Sequence, residues 1–195
     1  MFNLDKHEAE FSHLNFRKEN HGDEKVPAAT LTFKSTVSAL VLDTIDKKLR
    51  KTFFEKPGKG AQQALPIDGN TLTALALPYL KEQKLGLSYD GYEIEIAGLL
   101  DHMEPLFFAD VELKIEKVTF IEGGSAELLL KANTVVDRED YAPLLSYWAQ
   151  GDVRVTLTPP DSAASTGDGE ASDEDDSAAA QAEADRLVAA GKQAA

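Results

Sequence analysis

The chain changes character at Pro159-Pro160, and that break limits what can fold. From Asp161 to Asp176 there is no large apolar residue, only Ser, Thr, Gly, Ala, Asp and Glu, and an Ala-rich end follows. Such a segment cannot bury enough surface to offset its ordering entropy, so disorder is expected. The tail from Asp161 carries nine acids and two bases, a net −7, which is half of the whole chain's −14. The expected organisation is one globular β-rich domain over 1–159 and a disordered acidic and Ala-rich tail over 160–195. A body of that length suits one domain with a single core.

Within the body, alternation marks strands. Glu10 to Arg17 alternates Leu14 and Phe16 against His13 and Asn15. A charged turn, Lys18 to Lys25, leads to a second strand with Ala29, Leu31 and Phe33 on one side. The best helical pattern comes next. Val37, Leu40, Val41, Ile45, Leu49 and Phe53 follow i, i+3, i+4 spacing and make one apolar stripe, with Ser35 or Ser38 placed to cap it. Lys56-Pro57-Gly58-Lys59-Gly60 ends it. Gln62 to Lys84 has no clear period; Asp68-Gly69-Asn70 marks a turn, and Pro78 argues against a continuous helix.

From Leu85 the pattern is β. Leu85, Leu87 and Tyr89 alternate, Asp90-Gly91 reads as a two-residue hairpin turn, and Tyr92, Ile94 and Ile96 alternate after it. Val111, Leu113 and Ile115 fall out of phase with Val118 and Phe120, which predicts a bulge. Glu122-Gly123-Gly124-Ser125 predicts a hairpin turn, with Ala126, Leu128, Leu130 and Ala132 returning from it. Asp140 to Gln150 reads as a short helix with Tyr141, Leu144, Leu145 and Trp148 on one face. Asp152 to Thr158 closes the body, with Val153, Val155 and Leu157 inward. The expected fold is mainly β (α+β): an antiparallel OB-like barrel or sandwich of about seven short strands with two helices, plus the tail.

Catalytic signatures are missing from the sequence. There is no cysteine, no Gly-x-Ser-x-Gly and no phosphate-cradling Gly-Lys-Ser/Thr loop. The four histidines have no metal-ligand spacing. His21 with Asp23 and Glu24, and His102 with Asp101 and Glu104, read as solvated turns. Glu93 and Glu95 share a strand face opposite Ile94 and Ile96 and lack a burial signal for acid–base work. The expectation is a protein that is not an enzyme and needs no cofactor. The opening residues lack a basic-then-apolar leader, and no apolar run reaches the roughly 18 residues that span a bilayer. A cytoplasmic setting is the expectation.

One segment breaks the acidic balance. Lys34 to Lys59 holds seven bases (Lys34, Lys47, Lys48, Arg50, Lys51, Lys56, Lys59) against three acids. Arg17 adds to it from the first hairpin, and Phe54 sits inside it. Cations that track phosphates and rings that stack on unpaired bases make a single-strand groove. The competing reading is a helix C-terminus, whose dipole favours cations at Lys47 to Lys51.

The run Phe16-Arg17-Lys18-Glu19-Asn20-His21-Gly22-Asp23-Glu24-Lys25-Val26-Pro27-Ala28-Ala29 resembles the opening of small phage-encoded proteins. The layout is similar to that of the single-stranded-DNA-binding proteins of lytic phages. The resemblance implies an OB-type barrel and an acidic tail that competes with DNA for a basic groove and recruits replication or recombination proteins. Tails of that family usually finish on a bulky apolar residue, whereas this chain finishes Lys192-Gln193-Ala194-Ala195.

The expected function is therefore tail-regulated single-stranded nucleic-acid binding in phage or prophage DNA replication or recombination. The interface would comprise Arg17, Lys34, Lys47, Lys48, Arg50, Lys51, Phe54, Lys56 and Lys59. Expected partners are single-stranded DNA and replication proteins, with no membrane; a homo-oligomer is compatible with the sequence. The alternative is a phage structural protein, or an acidic inhibitor or mimic that binds protein and not nucleic acid.

Overall fold

The structure, a computed structural model, describes residues 1–21, 24–58, 71–99 and 103–160. The expectations for the tail, for Lys59, for the Asp68-Gly69-Asn70 turn, and for Asp23, Asp101 and His102 lie outside those residues. The described part belongs to the first of the two units into which the chain divides, Met1–Pro160.

Six long strands dominate. They are β1 (Leu4–His21), β2 (Glu24–Ser38), β5 (Glu82–Gly98), β6 (Leu106–Ile121), β7 (Ser125–Val135) and β8 (Asp152–Thr158). Every pairing between them is antiparallel, in the order β1-β2-β7-β6-β5-β8, and β8 pairs back to β1 to close the ring. Two short strands, β3 (Phe54–Glu55) and β4 (Ala74–Leu75), make a separate sheet. The domain is mainly β, as expected, with two sheets and a few short helices.

The resemblance to the phage single-stranded-DNA-binding family does not survive this topology. An OB fold is a five-stranded, partly open Greek-key barrel. Here six strands complete a hydrogen-bonded ring that is not curled into such a barrel.

Inward side chains follow the period of two. Ala126, Leu128, Leu130 and Ala132 of β7 are buried, as are Val153, Val155 and Leu157 of β8, all as predicted. The bulge predicted in β6 lies at Glu116: Ile115 faces Leu130 and Lys117 faces Leu129, leaving Glu116 as the extra residue. Glu122-Gly123-Gly124 turns the chain, with Ile121 opposite Ser125.

Asp90-Gly91 is a correction. The chain does not turn there; β5 runs straight through. Tyr89 pairs with Leu113 and Tyr92 with Val111, so Asp90 and Gly91 stand opposite Glu112 alone. This is a bulge, with Gly91 at φ +76°. A hairpin turn and a bulge both shift the apolar phase by one residue, so the alternation alone does not separate them.

The long helix is the second correction. The chain stays in β2 through Ser38, makes a 3₁₀ turn at Ala39–Val41, and forms two short helices, α1 (Leu42–Ile45) and α2 (Leu49–Phe53). Asp46 between them is extended, at φ −150° and ψ 127°. Its Oδ1 accepts the Lys48 amide at 2.7 Å, and its carbonyl accepts the Leu49 amide at 3.0 Å. A short acidic side chain that binds nearby backbone competes with helix continuation. Leu42, outside the predicted stripe, is the buried anchor, while Val41, Ile45 and Leu49 are half-buried against the core. Phe53 stacks on Phe120 with ring centroids 3.9 Å apart.

The last helix, α3 (Tyr141–Gln150), forms where predicted but with a different inner face. Leu144 and Tyr147 are buried, and the Tyr141 ring meets Phe16 at 4.5 Å. The Tyr147 hydroxyl donates to the Glu104 carbonyl at 2.9 Å. Leu145 and Trp148, predicted inward, are 47% and 43% exposed.

Candidate nucleic-acid interface

The break at Asp46 decides where the basic side chains go. Lys47 and Lys48 stand on the connection between α1 and α2, Lys51 on α2, and Lys56 just after β3; all four are exposed. The cations therefore do not line the last turn of one long helix. The dipole of a single long helix cannot account for them together, because each helical piece is only one turn or so long. None of the four makes an ion pair among the described residues.

Three of the other predicted bases are engaged elsewhere. Arg50 is only 16% exposed and closes on Asp43: its Nε and Nη2 both donate to Asp43 Oδ2, at 2.8 and 2.7 Å. Lys34 pairs with Glu10 at 3.3 Å on the outer surface of the β1–β2 hairpin. Arg17 pairs with Glu19 and donates to Thr30 and, at 3.2 Å, to Asn133.

Arg17 is one end of a polar row across the ring's outer surface. Thr30 donates to Asn133 Oδ1 at 2.8 Å, Asn133 Nδ2 to Glu112 at 2.7 Å, and Ser88 to Glu112 at 2.9 Å. Lys114 adds an ion pair to Glu112 at 2.7 Å. With hydrogen bonds from Lys114 and Asn133 as the main causes, the Glu112 carboxyl is held down to about 2. That network satisfies its members internally. Arg17 and Lys34 are thus engaged with neighbours on the strand surface.

Phe54 is also a correction. It is 1% exposed and meets Phe120 edge-on, with centroids 5.9 Å apart. A buried ring cannot stack on a base, so Phe54 belongs to the core. The alternation of β3 turns it inward while Glu55 faces out.

Sequence reasoning missed the segment that lies against this surface. β4 pairs with β3, Phe54 opposite Leu75 and Glu55 opposite Ala74. The Ala76 amide donates to the Phe53 carbonyl at 3.0 Å, and Leu77 to Leu80 close a turn at 2.9 Å. This brings Ala74 to Ala76 beside β3 and the end of α2, and the chain then joins β6 from Lys81 on. Its only sequence signal was Pro78, a turn residue; its partner strand is two residues long and gives no period to read.

Elsewhere, Glu93 and Glu95 lie outward, as expected, beside the exposed ring of Phe107 in a 390 Å³ depression of the β5–β6–β8 surface. Among the described residues no group of three or more His, Asp or Glu side chains is placed to hold a metal ion, and no helix is long and apolar enough to cross a membrane. No family model matches this chain, and neither does any curated protein or solved structure.

Proposed function

We propose that this protein binds single-stranded nucleic acid, DNA in the first instance, through the surface formed by Lys47, Lys48, Lys51 and Lys56. One observation carries the reading: four exposed lysines between positions 47 and 56 make no ion pair among the described residues, in a chain of net charge −14. A cluster of exposed cations makes a local positive potential on an otherwise acidic molecule and raises the local concentration of anions. A polyanion fits that surface, because each phosphate contact releases condensed counterions.

The acidic tail regulates this binding by charge. Its net −7 lowers the local potential for a polyanion, most at low salt where screening is weakest. The protein acts in nucleic-acid metabolism as a binder, with no chemistry of its own.

Salt-titrated binding of a labelled single-stranded oligonucleotide tests the reading. Four phosphate contacts give a slope of about −3 in log K against log salt, at about −0.7 each. Changing Lys47, Lys48, Lys51 and Lys56 to Glu abolishes binding while the melting transition stays put. Absence of binding by a chain ending at Pro160 at about 50 mM salt, where such contacts are strong, rejects the reading.

A second reading, protein recognition, draws on α3. The helix has no charged residue from Tyr141 to Gln150, and its outer side exposes Leu145 and Trp148. Trp is enriched at the centres of protein interfaces. Trp148→Ala would leave nucleic-acid affinity unchanged and would weaken only a protein contact.

A further inference from the structure

We infer that Tyr79 is the ring on which an unpaired base stacks at this surface. The inference rests on the nucleic-acid reading above and assigns the aromatic platform that Phe54 does not supply.

Tyr79 is 84% exposed, more than any other large apolar or aromatic side chain described, and its ring meets no other aromatic ring among the described residues. It occupies a corner of the Leu77–Leu80 turn, directly after Pro78, whose fixed φ stiffens that corner. The turn is clamped on both sides. Before it, the Ala76 amide donates to the Phe53 carbonyl at 3.0 Å; after it, the Lys81 carbonyl accepts the Phe120 amide at 2.7 Å. Phe53 and Phe120 stack on each other, so both clamps rest on the same rigid pair of rings.

The cations lie on both sides of this turn in the chain's path. Lys51 precedes Phe53 by two residues, Lys56 follows β3, and exposed Lys81 and Lys84 come two and five residues after Tyr79. A ring open to solvent, on a backbone held at both ends and with lysines near it in the chain, offers the two parts that sequence-tolerant single-strand binding requires: a π face and phosphate-tracking cations.

The ligand class is single-stranded DNA or RNA with at least one unstacked base, and duplex DNA is discriminated against because its bases are already stacked. The test uses the full chain with a fluorescein-labelled oligothymidylate and, in parallel, a duplex of the same length. Tyr79→Ala should weaken single-strand binding roughly 10- to 100-fold, the range of one lost base–aromatic stack. The salt slope and the melting temperature should not change, since no phosphate contact and no core contact is lost. Tyr79→Phe should bind as the parent does. The weak duplex affinity should be the same for all three. Parent-like binding by Tyr79→Ala, with binding still abolished by the four Lys→Glu changes, overturns this inference and leaves the lysine surface standing. No single-strand binding by the parent chain, with its tail or ended at Pro160, overturns both.

Discussion

Asp43 and Arg50 bridge the break that splits the predicted helix: one carboxylate oxygen of Asp43, on α1, accepts both Nε and Nη2 of Arg50, on α2. The other, Oδ1, is buried and has no hydrogen-bond partner among the described residues. Seven residues separate the pair, so it ties together two helices that are each too short to be stable alone. Asp43→Ala should cost about 1 kcal/mol, the scale of a charge-assisted pair that is partly exposed. Urea denaturation measures it. Arg50→Ala should show a similar loss and leave the salt slope of nucleic-acid binding unchanged, because Arg50 is committed to Asp43. A drop of the slope by one contact would place Arg50 among the phosphate binders.

Phe54→Ala should unfold the domain more readily by about 3–5 kcal/mol, the cost of removing a fully buried ring. Tyr79→Ala should stay within about 0.5 kcal/mol of the parent, as an exposed side chain away from any packing feature does. The contrast, read by chemical denaturation, separates the core ring from the surface ring. Equal stability of the two variants would contradict the burial of Phe54.

Glu112 gives the stability a pH signature. Its carboxyl is held at about 2 in the fold against 4.5 ordinarily, so the folded state binds fewer protons there than the unfolded chain does. The contribution is complete above about pH 4.5 and fades as pH falls toward 2. The side chain is 36% exposed, so solvent screening cuts the effect to about 1 kcal/mol. Glu112→Gln should therefore lower the urea midpoint at pH 7 and lower it less at pH 3. An equal loss at both values would mean that the charge of Glu112 contributes nothing.

Gly91→Ala tests the bulge in β5. The residue sits at φ +76°, where an L side chain costs about 1–2 kcal/mol. A Cβ there would meet Pro160 at 3.5 Å, an ordinary contact, so the strain is conformational. Thermal unfolding should show the loss. Unchanged stability would mean that the chain does not adopt the left-handed conformation at this point.

Local alternation in the sequence determined which residues of β7 and β8 face inward, the bulge at Glu116 and the turn at Glu122-Gly123-Gly124. In each case a side chain's neighbours along the chain decide its face, because the pleat repeats every two residues. Composition likewise placed the acidic charge after Pro160. The tertiary structure decided what periodicity cannot carry. A phase slip at Asp90-Gly91 continues a strand because β6 is long enough to pair on both sides of it. Ala39 to Phe53 is two helices because Asp46 binds its own neighbours and Arg50 reaches back to Asp43. Leu145 and Trp148 face out because Tyr147 found a partner in Glu104, a residue 43 positions away. Phe54 did not take the role its flanking residues suggested. Phe54 sits among lysines in sequence yet its partner is Phe120. Tyr79 sits in an unpatterned stretch that a two-residue strand pairing ties down just ahead of it. Strand partners and ring closure are contacts between residues far apart in the chain, so no window of sequence holds them.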